Sequence, residues 1–108
     1  MKQFLLSAML CIITSMSGFA QAPANDICAN AIAVTVNGGY INCNNSNTVT
    51  NAANPSCGGT TAIKDIWYKF VYTGGTVVVE TQLGTNTDTR IAVYTACGGT
   101  QIGCNDDF

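Results

Sequence analysis

Short stretches in which apolar and polar side chains alternate recur along residues 32–94. In residues 32–36, 66–72 and 90–94 an apolar side chain occupies every second position, which places these side chains on one face of a β-strand. Asn and Gly residues that favour tight turns follow the first two stretches. Apolar residues occupy both faces of residues 66–72, so this stretch is predicted to be the central strand, with Trp67 at least partly buried.

Further stretches complete the predicted sheets. Residues 40–43 are expected to pair back on residues 32–36 as a hairpin, and residues 48–50 and 76–81 are predicted strands. Residues 52–62, which contain proline and paired glycines, are predicted to form a long loop. Short strands separated by turns about every 8–12 residues favour an antiparallel β-sandwich or barrel. The predicted fold class is therefore all-β.

The first twenty residues have the three parts of a secretory signal peptide. A lysine near the start is followed by the mostly apolar residues 4–16 and by small side chains suited to a cleavage site. Cleavage is predicted between Ala20 and Gln21, which leaves residues 21–108 as the exported domain. The apolar run is shorter than the roughly 20 residues needed to span a bilayer. No later segment is apolar and long enough to span one either, so no membrane insertion is expected after cleavage.

Charge and composition narrow the classes of function. Removing the predicted signal peptide leaves three basic and six acidic residues, a net charge of −3. Nothing resembles a basic patch, so neither nucleic acid nor an anionic membrane is an expected partner. The chain has no histidine, which excludes histidine-based catalytic relays and the usual zinc sites. We expect a protein without catalytic activity; the alternative is a fragment of a hydrolase that uses a carboxylate pair.

Five cysteines follow the predicted cleavage site, and an exported protein is expected to oxidise them. Cys97 and Cys104 flank a Gly-rich turn and form the first predicted disulfide, and Cys28 with Cys43 forms the second. Cys57 is then left over; in the alternative, Cys43 pairs with Cys57 and Cys28 stays free. The odd cysteine, and a sequence that ends directly after a predicted turn, lead us to expect a domain that is incomplete at its C-terminus.

Oxygen-bearing side chains near two predicted hairpins form a candidate calcium site. Calcium takes about six to eight oxygen ligands from carboxylates, amides and carbonyls, and it needs no histidine. The alternative is an ordinary turn held by hydrogen bonds from Asn and Asp side chains to the backbone. The candidate ligands are Asp88, Asn105, Asp106 and Asp107.

Aromatic residues offer a second candidate site. Trp67 could form a sugar-stacking platform with one of three tyrosines, because aromatic faces bind apolar ring surfaces. The favoured interpretation is that these residues pack in the core and on the faces of the sheets. The three tyrosines are Tyr68, Tyr72 and Tyr94.

Several motifs, taken in order, resemble the bacterial pre-peptidase C-terminal domain family, in the cysteine-bearing form found in large exported multidomain proteins. The matching stretches are residues 25–31, residues 65–70, residues 87–94 and the Cys-Gly and Cys-Asn-Asp-Asp motifs at residues 97–98 and 104–107. Thr87 stands where that family commonly has an aromatic residue. The resemblance implies a jelly-roll-like β-sandwich with a further pair of strands after the Asn-Asp-Asp corner. It also implies a companion of proteases, other hydrolases or adhesins, with calcium or a polymer as ligand in some members.

These features together predict a secreted or cell-surface module that is not catalytic. We expect it to bind an extracellular polymer or a cell-surface ligand and to contact other domains of the same larger protein. The alternatives are the hydrolase fragment described above and a purely structural spacer.

Overall fold

A computed structural model describes residues 20–50, 54–59 and 63–106. This part of the chain contains a short 3-10 helix and four strands and has no α-helix. The strand-rich structure confirms the all-β prediction at this coarser level. The predicted signal peptide lies outside the described residues except for Ala20, and no described helix is long and apolar enough to cross a membrane. In chain order the elements are the 3-10 helix Cys28–Asn30, β1 (Ile32–Ala33), β2 (Tyr68–Lys69), β3 (Ile91–Tyr94) and β4 (Gln101–Asn105).

The first sheet is a short parallel pair of β1 and β2. Ile32 lies opposite Tyr68, and the backbone N–H of Val34 donates to the carbonyl of Lys69 at 2.9 Å. The predicted antiparallel hairpin of residues 32–36 with residues 40–43 is therefore wrong. Residues 40–43 form no strand in the structure, and β1 pairs with the later strand β2 instead; parallel strands need a connection of about a dozen residues or more. The long stretch between β1 and β2 supplies that connection.

The second sheet is an antiparallel hairpin of β3 and β4. Ile91 pairs with Asn105 and Val93 with Gly103, and an irregularity in the register follows Val93. The turn closes through a hydrogen bond of 3.0 Å from the Thr95 N–H to the Thr100 carbonyl. The β3 strand confirms the prediction for residues 90–94. The prediction of a turn extending to residue 103 is wrong, because the chain reverses by residue 100 and leaves β4 free to pair.

The two sheets meet at an aromatic contact. The rings of Trp67, directly before β2, and Tyr94, at the end of β3, have centroids 5.8 Å apart and are tilted by 45°. Trp67 is half-buried, as predicted. Among the described residues no apolar side chain is fully buried. The domain therefore depends on specific contacts between the sheets more than on a large apolar core.

The structure has no strand at residues 76–81, where one was predicted, and every side chain in this segment except Val77 is exposed. Val78 is 79% exposed, and no backbone hydrogen bond joins this segment to a strand within the described residues. A Val-rich sequence favours a pleated surface only where neighbouring strands pack against it. Residues 76–81 lack such a neighbour in the described part of the chain, which explains why the predicted strand does not form there.

Candidate functional site

Two disulfides link the sheets and loops, and their pairing differs from the prediction. Cys28 is bonded to Cys97 and Cys57 to Cys104, with Cα–Cα distances of 5.7 and 6.0 Å. The predicted pairs Cys97–Cys104 and Cys28–Cys43 are therefore wrong, as is the alternative Cys43–Cys57. Cys97 lies in the turn, whereas Cys104 lies well along β4 opposite Ala92. From the start of β4 at Gln101 to Cys104 the strand advances by three residues, or roughly 10 Å. This places Cys104 too far from the turn for a disulfide to Cys97.

Cys43 is the cysteine left with a free thiol among those described, and it is exposed. Its side chain lies beside Tyr68, whose pKa is raised above 10.0 first by burial and then by Cys43. Asn25 hydrogen-bonds Tyr68 and opposes this shift, and its amide also donates to the Trp67 carbonyl at 3.0 Å. Asn25 is only 4% exposed. It therefore serves as a structural polar group that ties the start of the domain to β2.

A guanidinium group holds the loop at residues 54–59 against the hairpin. The Nε of Arg90 lies 2.7 Å from a carboxylate oxygen of Asp106, and its Nη2 donates to the Gly58 carbonyl. Gly58 has a φ of +81°, and a Cβ there would collide with the guanidinium. Ser56 and Gln101 add hydrogen bonds between the same loop and β4. Glycine is thus required at position 58 by both backbone conformation and space.

The predicted calcium ligands have different surroundings. Asp106 is paired with Arg90, Asn105 lies in the β4 ladder opposite Ile91, and Asp107 lies outside the described residues. Asp88 is exposed, and its backbone N–H donates a local hydrogen bond to the Asn86 side-chain oxygen at 3.2 Å. Within the described part of the chain no three acidic or cysteine side chains come together as a metal site. Calcium binding here stays a prediction.

The aromatic residues named from the sequence divide into two groups. Trp67 packs on Tyr94, and its indole N–H donates to a carboxylate oxygen of Asp65 at 3.0 Å. It is half-buried and belongs to the packing between the sheets. Tyr72 is 62% exposed, and its hydroxyl donates to the nearby Gly75 carbonyl at 2.8 Å.

Sequence reasoning missed a second exposed aromatic, Tyr40, which was assigned to a strand. Its hydroxyl donates to the carboxylate of Glu80 at 2.6 Å. The pKa of Tyr40 is raised above 10.0, first by this hydrogen bond and then by the negative charge of Glu80. No pattern in the sequence links two residues that lie 40 positions apart, so only the folded chain brings this pair together.

A family of known domains matches residues 24–108 of this chain: the galactose binding domain-like family that is associated with T9SS. The chain belongs to this family. Domains of this kind are β-sandwich binding modules, which supports the coarser expectation of a β-sandwich accessory domain. The match is not to the pre-peptidase C-terminal family in particular. No curated protein and no solved structure matches the chain.

The family and the disulfides also bear on location. Disulfides persist in oxidising compartments outside the cytoplasm, and the family is associated with the T9SS secretion system. Together they indicate an extracellular or surface protein.

Proposed function

We propose that this domain is a non-catalytic module that binds carbohydrate and positions a larger extracellular protein on its target. The observation that carries the proposal is the match of residues 24–108 to a galactose binding domain-like family. Export is assigned to residues 1–20 with cleavage between Ala20 and Gln21, which agrees with the location that the family and the disulfides indicate. A β-sandwich architecture is part of the same proposal.

The low charge of the chain and its many uncharged polar residues support a neutral ligand. The chain carries few charged residues and many Thr, Asn and Gly residues. A mildly acidic domain repels anionic polymers and has no cationic stripe that would attract them. Hydroxyl and amide groups, by contrast, can exchange hydrogen bonds with the hydroxyl groups of a sugar. A neutral glycan is therefore the ligand class that fits this surface best.

A glycan array with the full, oxidised chain tests this function. We expect binding to neutral glycans and much weaker binding to sulfated or uronate-containing glycans. The chain unfolded by reduction and heat is the control, and it should bind none of them. Absence of binding by the folded protein would favour the structural spacer, whereas hydrolysis of any glycan or peptide would favour the hydrolase fragment.

Calcium at Asp88, Asn105, Asp106 and Asp107 is a secondary part of the proposal. Binding of the folded state alone would raise thermal stability by mass action. The midpoint of unfolding should therefore be higher in calcium than in chelator, and Asp88→Ala should reduce the difference. Asp88 is the suitable position because Asp106 also stabilises the fold through Arg90. Equal midpoints in calcium and in chelator would rule out this site.

A further inference from the structure

An exposed tyrosine is held in place by a carboxylate far from it in the sequence. Tyr40 is 67% exposed, and its hydroxyl donates to Glu80 Oε1 at 2.6 Å across 40 residues. Neither residue takes part in the disulfides or in the Arg90–Asp106 ion pair. The pair is thus separate from the contacts that hold the hairpin together.

The hydrogen bond restrains the ring before any ligand arrives. A bond between a hydroxyl and an ionised carboxylate is shorter and stronger than one between neutral groups, and the raised pKa of Tyr40 agrees with it. An exposed aromatic ring that is already restrained loses little conformational entropy when a ligand stacks on it. The arrangement therefore favours binding more than a freely rotating surface tyrosine would.

Glu80 keeps hydrogen-bonding capacity for a ligand. An ionised carboxylate has about four acceptor positions, and Tyr40 occupies one of them. The described residues show an ion pair for Asp106 but none for Glu80. The carboxylate can therefore accept hydrogen bonds from hydroxyl groups placed beside the ring. The neighbours in sequence, Ile41 and Val79, are 52% and 47% exposed and add apolar surface.

We infer that Tyr40 and Glu80 form a contact point for a neutral sugar. The tyrosine ring stacks on the C–H face of a pyranose, and the carboxylate accepts hydrogen bonds from the hydroxyl groups of the sugar. An apolar face beside a rim of acceptors matches the two surfaces of such a ring. Sulfated or acidic sugars are disfavoured because Glu80 repels them. A calcium ion is disfavoured because one carboxylate supplies too few oxygens. This inference rests on the proposed carbohydrate-binding function and assigns that function to a place.

Titration calorimetry of the full oxidised chain with the neutral glycan selected on the array tests this site. Tyr40→Ala should weaken binding roughly tenfold, as expected for a lost aromatic contact. Tyr40→Phe, which keeps the ring but frees it, and Glu80→Gln, which keeps the shape but loses the charge, should each weaken binding by a smaller factor. Tyr72→Ala is the matched control, since Tyr72 is similarly exposed but bonded only to a local carbonyl, and it should leave the affinity within about twofold.

The outcomes separate this inference from the proposed function. Wild-type binding that survives Tyr40→Ala and Glu80→Gln would overturn the site and leave carbohydrate binding intact. An equal loss in Tyr72→Ala would also overturn it, because the effect would not be specific to Tyr40. Failure of the wild type to bind any neutral glycan would overturn both. Ring resonances of Tyr40 that shift on adding the glycan, in a protein whose circular dichroism is unchanged, would support the site independently.

Discussion

Two regions with similar apolar patterns fold very differently. The hairpin end, which comprises β3, β4 and the loop at residues 54–59, is closed by a disulfide, an ion pair and several hydrogen bonds. Residues 71–88 also contain a Val-rich run, yet apart from Val77 every side chain in this segment is exposed and none lies in a strand. The difference lies in partners and not in intrinsic preference. An apolar alternation becomes a strand where a second strand and cross-links hold it.

The comparison also indicates where the stability of this small domain comes from. No fully buried apolar side chain occurs within the described residues, so burial of hydrophobic surface contributes less than in a larger domain. Disulfides then have a large share, because they restrict the unfolded chain. The two regions should therefore respond to mutation very differently, with large effects at the hairpin end and small effects in residues 71–88.

Removing the Cys57–Cys104 disulfide should have the largest effect. The bond closes a loop with a sequence separation of 47, so the double variant Cys57→Ser/Cys104→Ser should lose about 4 kcal/mol of unfolding free energy in the chain-entropy model. Urea unfolding measures this loss. The control is Cys43→Ser, which removes the exposed free thiol and should change stability by less than about 0.5 kcal/mol. Recovery of alkylated Cys57 from folded, non-reduced protein would show that the pairing is different.

Removing the aromatic contact between the sheets should cause the next largest loss of unfolding free energy. Trp67→Ala removes the ring that packs on Tyr94. Because Trp67 is only half-buried, the loss should be about 2–3 kcal/mol, below the value for a fully buried aromatic side chain. Tyr72→Ala in the exposed segment is the control and should be nearly neutral. Equal unfolding midpoints for the two variants would show that Trp67 does not join the sheets.

The parts of the fold that follow from local sequence were predictable. The strand at residues 91–94 is a short apolar run between turn residues, with its larger aliphatic side chains at every second position, and Trp67 has apolar neighbours on both faces of its stretch. Both predictions depend on side chains that are close in the chain. The same reasoning failed for β4, where Gly103 and Cys104 interrupt the alternation. A strand with little apolar periodicity is visible only once its partner is known.

The pairing of distant residues was not predictable in the same way. The prediction of Cys97–Cys104 was based on a Gly-rich turn that would bring two cysteines close in sequence within disulfide reach. The folded chain instead bonds cysteines separated by 69 and 47 residues. The Tyr40–Glu80 pair and the Arg90–Asp106 pair have the same origin. Candidate site residues that depend on such pairs become visible only in the structure.

Breaking the ion pair at the hairpin end should have a moderate effect. The side chains of Arg90 and Asp106 are 17% and 25% exposed, so Arg90→Met should cost about 2 kcal/mol, less than for a fully buried pair because solvent screens it. Lys69→Met, at an exposed position on β2, is the control and should be nearly neutral. A double-mutant cycle with Asp106→Asn isolates the pair. A coupling energy near zero would mean that Arg90 acts through Gly58 alone.

The smallest expected effect is on the pH dependence of stability, and it compares an exposed tyrosine with a half-buried one. The pKa values of Tyr40 and Tyr68 are both raised above 10.0 in the folded state, by Glu80 for Tyr40 and mainly by burial for Tyr68. The neutral phenols are therefore favoured by folding, so their contribution is fully present below about pH 10 and is lost as pH rises through the raised values. Urea midpoints measured from about pH 9 to about pH 12 should fall in the wild type. They should fall less in Tyr40→Phe and in Tyr68→Phe.

Added salt distinguishes the two tyrosines. Salt should reduce the Tyr40 contribution to the pH dependence more than that of Tyr68, because Tyr40 and the Glu80 carboxylate are exposed to solvent. Midpoints that fall equally in all three proteins would show that neither tyrosine is coupled to folding.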